Sequence, residues 1–233
     1  YLLSIILSDF LSIIFLTAVA GLSKYVSFKN MNKLLLKKML LYSLPLIPTA
    51  ILWWFTSVSD RYLVEHFMGA NATGLYSASA KIPNLLALVS AMFTQAWHMS
   101  AITENSSRDR EIFYKKKKKN YQSFMYVATA GLILFVKPFS SLILKNDFFS
   151  AHIYTPILII AILLMCFTNF FVSIYAAMNK QTHSFWTAFL GALINIILNI
   201  ILIPAIGIYG AAFATVISYA VTFFARLIDS RSF

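Results

Sequence analysis

LLYSLPLIPTAILWWFTSVSDRYLVE, residues 40–65, decides how this chain is read. From Leu40 to Val58 it carries no charge, and it then runs on through Asp60, Arg61 and Glu65. About 20 apolar residues in a helix cross the roughly 30 Å hydrocarbon core of a bilayer, so the run has the length of a membrane span. An ionisable side chain in such a span costs about 2.5–3.5 kcal/mol on insertion scales, and it usually faces a polar interior or a water-filled path. The next apolar run, Gly74–Met99, holds Lys81. Charge on two neighbouring spans points to a pathway for something charged.

Composition extends this reading to the whole chain. Of 233 residues, 60% are hydrophobic and 12% charged, against about 25% charged in a soluble domain. Seven apolar segments have the length to span, at about 1–23, 39–67, 74–100, 121–144, 153–178, 184–203 and 207–228. They are continuous rather than alternating, which excludes a closed barrel. The expected fold is an all-α polytopic membrane protein with about seven transmembrane helices. The single cysteine, Cys166, lies inside a span and has no partner for an internal disulfide.

The net charge of +11 invites a nucleic-acid partner, and its distribution argues against one. Fifteen of the 19 basic residues fall in alternate loops: Lys24 to Lys38, Arg108 to Lys119, Lys180, and Arg226 with Arg231. This is the positive-inside pattern and places those loops and the C-terminus in the cytoplasm. The lysine run 115–119 reads as a topology anchor that also meets anionic headgroups of membrane lipids.

The best internal boundary is the polar, basic stretch 24–38, expected to be a cytoplasmic linker with a short amphipathic helix on the membrane surface. It separates residues 1–23, a lone span, from residues 39–228, six spans that form one lobe; residues 229–233 form a cytoplasmic tail. Span one would then be the last helix of a preceding lobe, in the two-lobe plan common among transporters. Tyr1 opens directly into apolar sequence, as expected of a fragment that lacks its N-terminal lobe. The outer loop, residues 68–73, is short, so spans two and three form a tight hairpin. Its Asn71-Ala72-Thr73 matches a glycosylation acceptor pattern of low specificity. Pro45, Pro48 and Pro83 each remove a backbone donor and permit a kink.

The candidate site residues cluster near that hairpin. Ser77, Lys81 and Asn84 share a helix face at i, i+4 and i, i+3 spacing, and Lys81 either lines a cavity or snorkels to the headgroups. Arg61 and Glu65, four apart, can pair on one face, while Asp60 points about 100° away. A cavity-facing Arg61 can grip a phosphate bidentately. Asp60 is a partner for Lys81 or Arg61, or else a proton or sodium site. His98, beside Trp97, reads as an interfacial pair or a proton relay. Asn195 and Asn199, four apart, make a polar stripe suited to interhelical hydrogen bonds, and Asn169 and Asn179 read similarly. There is no clustered Cys/His metal set, no glycine-rich phosphate loop and no nucleophile elbow, so neither a metal nor another cofactor nor an enzymatic activity is expected.

Leu44-Pro45-Leu46-Ile47-Pro48, Trp53-Trp54 and Ser59-Asp60-Arg61-Tyr62, followed by Gly69-Ala70, Gly74-Leu75-Tyr76, Lys81-Ile82-Pro83 and Gln95-Ala96-Trp97, keep an order and spacing that resembles polysaccharide flippases of the Wzx type. Ala176 to Lys180 and Gly207 to Ala212 look like the C-terminal lobe of the same family. These flippases belong to the multidrug/oligosaccharidyl-lipid/polysaccharide exporter superfamily, and the resemblance implies one lobe of a two-lobe MATE-like transporter. It further implies translocation of undecaprenyl-diphosphate-linked oligosaccharide across the bacterial cytoplasmic (inner) membrane during surface polysaccharide (O-antigen, lipopolysaccharide) biosynthesis. Implied partners are that lipid-linked glycan, the N-terminal lobe of the same protein and other polysaccharide-assembly proteins. Arg61 and Lys81, with Asn84 beside them, are the expected substrate-binding residues, and Asp60 is the expected ion-pair or ion-coupling residue. Two alternatives stand: a multidrug or cation exporter of the same superfamily, which would want acidic residues, and a membrane enzyme of polysaccharide assembly, which would want a long outer loop.

Overall fold

The computed structural model describes residues 2–19, 32–44, 46–104, 110–144, 146–178 and 180–230. Pro45, Lys145, Asn179, Arg231, Arg108 and most of the expected linker lie outside them, as do the side chains of Trp53, Trp97, His98 and Ser100. The chain divides after Ser43 into two units. The first holds α1 (Leu2–Val19) and α2 (Lys33–Ser43). Asn32 starts α2 as an N-cap: its Oδ1 accepts the backbone N–H of Leu34 at 2.9 Å and of Leu35 at 3.3 Å, meeting donors that the first turn otherwise leaves free.

The second unit runs α3 (Leu46–Met68), α4 (Ala70–Ser79), α5 (Lys81–Glu104), α6 (Arg110–Leu134), α7 (Val136–Ile143), a 3-10 segment (Asn146–Ile153), α8 (Thr155–Ala177), α9 (Gln181–Ile206) and α10 (Ile208–Asp229). The described residues contain no strand. Helices α8, α9 and α10 are long and apolar enough to cross a membrane, and α6 with α7 makes a fourth such element, bent by 69°. The fold is an all-α polytopic membrane fold. Helix α3 has 23 residues, about 35 Å at 1.5 Å each, and its threonines, serines and charged end keep it less apolar than α8 to α10.

Several expected boundaries move. The 39–67 segment is interrupted between Ser43 and Leu46, beside the proline pair. The expected loop 68–73 shrinks to Gly69, whose φ of 82° lies in the left-handed region that glycine alone enters cheaply. Residues 70–73 are helical and Ala72 is buried, which leaves the Asn71 acceptor pattern no loop to work in. The 74–100 segment breaks at Ala80, and Pro83 explains why: it has no N–H to give the Ser79 carbonyl. Thr155 covers that carbonyl instead. Its Oγ1 lies 3.2 Å from Ser79 O and 3.1 Å from Ala151 O, so one proton serves both. The expected inner loop 101–120 is mostly helix, divided between α5 and α6.

Neighbours follow one path: α3 packs on α9, α9 on α10, α10 on α8 and α8 on α5, with α6 against α5 and α8. Small residues set the α9–α10 crossing, as they do where membrane helices approach closely. A Cβ at Gly191 would fall on Thr222 Oγ1, and one at Gly210 would fall on the Leu202 carbonyl. On the other side of α8, Tyr121 organises an aromatic core. Its ring stacks on Phe93 at 4.5 Å and Phe170 at 5.7 Å. Its hydroxyl donates to Cys166 O at 3.2 Å, so Ser90 Oγ donates to it at 2.6 Å.

The two kinds of glycine make a test. Gly210→Ala forces backbone against backbone and is expected to lower stability by about 1–3 kcal/mol, the range for overpacking. Gly131, with nothing within 4 Å of a built Cβ, is expected to gain up to about 1 kcal/mol from alanine's helix propensity. Thermal unfolding of the detergent-solubilised variants checks both signs.

Candidate functional site

Helices α3, α8, α9 and α10 surround a cavity of about 420 Å³, and α5 and α8 line a second of about 380 Å³. Met165, Asn169 and Val172 of α8 face both, so α8 is the ridge between them. One buried charge, Arg226, lines the first cavity, and a second, Asp60, lies beyond its wall, one helical turn from the lining residue Thr56.

Asp60 is only 5% exposed. Thr56, one turn earlier on α3, lines the cavity, as does Ser218, three residues after Thr215 on α10. Asp60 Oδ1 accepts Asn199 Nδ2 at 2.6 Å, and Oδ2 accepts Thr215 Oγ1 at 2.8 Å and the Tyr76 hydroxyl at 3.0 Å. Asn199 Nδ2 also reaches Asn195 Oδ1 at 3.2 Å, and Ser59 Oγ donates to the same oxygen at 3.5 Å. The carboxylate thus joins α3 to α4, α9 and α10 through neutral donors. Asn195 and Asn199 do form the expected interhelical hydrogen bonds to α3, Asn199 donating to Asp60 and Asn195 accepting from Ser59.

Thr215 gives this cluster a specific chemical property. Its Oγ1 lies 2.8 Å from Asp60 Oδ2 and equally 2.8 Å from Ala211 O, yet a hydroxyl carries one proton. With Asp60 ionised, Thr215 donates to the carboxylate. With Asp60 protonated, the acid donates to Thr215, which turns its own proton to Ala211. Both states fit without moving a heavy atom. Asn199 Oδ1 is buried with no partner, an acceptor next to a carboxylate that no cation neutralises. Such a cluster can take up a proton or a small cation.

The expected partnership of Asp60 with Arg61 or Lys81 does not form. Arg61 and Glu65 are exposed on α3 away from Asp60, and they do not pair with each other. Successive helix positions differ by about 100°, and burial of Ser59, Asp60 and Val64 turns Arg61 outward. Lys81 and Asn84 are exposed on one face of α5, and the break at Ala80 separates them from Ser77 on α4. Among the described residues no cluster of His, Cys, Asp and Glu could hold a metal ion.

Arg226 was expected among the loop cations and is instead inside α10, 3% exposed. Its Nε donates to Thr187 Oγ1 at 3.0 Å, Nη1 to Thr168 O at 3.0 Å, and Nη2 to Ser184 O at 3.2 Å and Ser184 Oγ at 3.4 Å. Tyr76, Thr215 and Arg226 are the site residues that sequence reasoning assigned no role here. A signal for two of them was present: Thr215, Ser218, Thr222 and Arg226 recur at i, i+3, i+7 and i+11, which is one face of a helix.

Two solved structures share this fold. One is a MOP superfamily transporter from Pyrococcus furiosus, described by a reversed polarity of its binding pocket that suggests a different function. It matches at a TM-score of 0.65 and 20% identity over 78% of this chain and 42% of its own. The other is a MATE transporter in a bent conformation, at 0.57 and 19% identity over 79% of this chain and 42% of its own. The chain thus spans about two fifths of the transporters it resembles. No protein-family model and no curated protein matches it.

Replacing Asp60 separates its roles. Asp60→Leu removes the acceptor of one Asn199 N–H and of the Tyr76 hydroxyl in a buried place and is expected to lower stability by about 1–3 kcal/mol per donor left unmet. Asp60→Asn keeps an acceptor for Asn199 and a donor for Thr215, and is expected to unfold near the wild-type temperature. Thermal melts of the two variants side by side give the comparison.

Proposed function

We propose that this chain is one lobe of a two-lobe transporter of the multidrug/oligosaccharidyl-lipid/polysaccharide superfamily. Its substrate is undecaprenyl-diphosphate-linked oligosaccharide, carried from the inner to the outer leaflet of the bacterial cytoplasmic membrane, and its C-terminus is cytoplasmic. The observation that carries this reading is the charge asymmetry of the lobe. Among the described residues, Arg61, Lys81 and Arg226 lack carboxylate partners, whereas the one buried carboxylate, Asp60, accepts from three neutral donors. A drug-sized cation would need an acidic group on the cavity wall, and Asp60 is not among the lining residues. An anionic diphosphate needs donors, and the lobe has them to spare.

In this scheme Arg61, Lys81 and Asn84 meet the diphosphate and the first sugars on a surface completed by the N-terminal lobe of the same protein. Guanidinium and ammonium groups suit phosphate oxygens, Arg through a bidentate fork. The lipid tail stays in the bilayer while the lobes rock about the site. Asp60 couples the motion to a proton or sodium ion, because its cluster accepts either protonation state in place.

A strain without its polysaccharide flippase tests this. The lobe joined to its upstream sequence is expected to restore surface polysaccharide. Arg61→Ala and Lys81→Ala each are expected to reduce export about tenfold, the effect of one lost charge-assisted hydrogen bond, and Asp60→Asn to abolish it while the protein inserts normally. Undiminished export by a stably inserted Arg61→Ala, Lys81→Ala double variant would sink the proposal.

A further inference from the structure

Arg226 is a buried cation whose charge the fold leaves unanswered. Its three nitrogens meet carbonyl and hydroxyl oxygens only. The nearest carboxylate in sequence, Asp229, accepts from the Tyr175 hydroxyl on Oδ2 at 2.7 Å, has His183 Nδ1 3.0 Å from Oδ1, and makes no ion pair with Arg226. A buried charge without a counter-charge is strongly destabilising unless something else supplies one.

The surroundings say what that something is. A guanidinium has five N–H groups. Four are engaged, and the remaining one, on Nη1, belongs to a side chain that lines the 420 Å³ cavity. Two further donors line the same cavity. Ser184 Oγ accepts from Arg226 at 3.4 Å and gives its own proton to no protein group. Asn169, on the α8 ridge, has an amide with no protein hydrogen bond. The donors come from three helices, α8, α9 and α10, that line one cavity, and Arg226 bonds Ser184 and the carbonyl of Thr168, the neighbour of Asn169. Leu52, Met165 and Val172 give the wall apolar surface, with the hydroxyl side chains Thr56, Ser218, Tyr219 and Thr222 among them. The volume lies within the roughly 300–1,000 Å³ of small-molecule sites.

We infer that this end of the cavity binds a phosphoryl oxyanion, held by Arg226, Asn169 and Ser184, with an apolar ligand body along the α3 and α8 walls. The site is separate from the Arg61, Lys81 and Asn84 surface, and it rests on the transport function proposed above only for the ligand's identity, not for its charge.

Calorimetry on the chain purified in detergent tests the site, with geranyl diphosphate, inorganic pyrophosphate and neutral geraniol as probes. Geranyl diphosphate is expected to bind and geraniol not. Asn169→Ala and Ser184→Ala leave the Arg226 ties to Thr187 and Thr168 intact, and each is expected to weaken binding about tenfold at an unchanged melting temperature. Arg226→Lys keeps the charge but loses the fork and is expected to weaken it further. Equal binding of inorganic pyrophosphate would identify a free phosphate as the ligand, and displacement by phosphatidylglycerol in nanodiscs would identify a bulk lipid headgroup; both outcomes retain the oxyanion site. Geraniol binding as well as the diphosphate, no binding by any phosphoryl probe, or binding indifferent to both alanine variants would each overturn it. Phosphoryl binding without restored export would remove the flippase function and leave the site standing.

Discussion

A carboxylate placed among helices, with only neutral donors around it, constrains more of this lobe than any other group. Asp60 must receive hydrogen bonds to be tolerated away from water. Its donors sit on three other helices, so each helix is held at one height and one rotation. Tyr76 reaches it only because α4 doubles back on α3 across the single residue Gly69. Asn199 reaches it because α9 lies flat against α3, and Thr215 because α10 follows α9 through Gly207, at a φ of 64°. A slip of one residue in any of these helices would turn its donor about 100° away.

The neutrality of those donors has a functional consequence. An arginine or lysine partner would have locked the carboxylate in its ionised form. Hydroxyl and amide partners instead let the charge come and go, and Thr215 can face either Asp60 or its own helix carbonyl. Structural ion pairs hold a fold together and resist change. A buried acid with reorientable neighbours holds the fold and remains able to change state, which is what a coupling residue in a moving protein requires.

Much of the framework was legible in the sequence, and the reasons are physical. Helices α8, α9 and α10 agree with the apolar runs 153–178, 184–203 and 207–228 to within a few residues, because nothing but apolarity and length is needed to specify them. The runs at 39–67 and 74–100 were harder. There prolines and Gly69 decide local geometry, and a hydropathy reading does not see that Pro83 frees a carbonyl or that Thr155 will cover it. Asp60 stood out as a charge in a span, and Asn195 and Asn199 as a stripe, but their meeting depends on how α3 and α9 pack. Arg226 was misplaced among the loop cations because it lies three residues from the end of α10, where sequence alone cannot distinguish a side chain leaving the bundle from one turned into it.

The two buried charges have opposite sign, and Arg226 lines the cavity whose wall residues Thr56 and Ser218 stand next to the Asp60 cluster. Thr215, which touches Asp60, and Arg226 are eleven residues apart on α10, about 16 Å at 1.5 Å per residue. Two unit charges at that distance interact by about 1 kcal/mol at an effective dielectric of 20. An anion bound at Arg226 and a cation bound at Asp60 therefore attract one another across this distance by an amount equal to a severalfold change in affinity. Such coupling is reciprocal: each ligand favours the other equally. No rearrangement is needed to transmit it, because the low-dielectric wall between the poles does so. On the function proposed here, an anionic load and a small cation would be coupled through two side chains on neighbouring elements, Asp60 on α3 and Arg226 on α10.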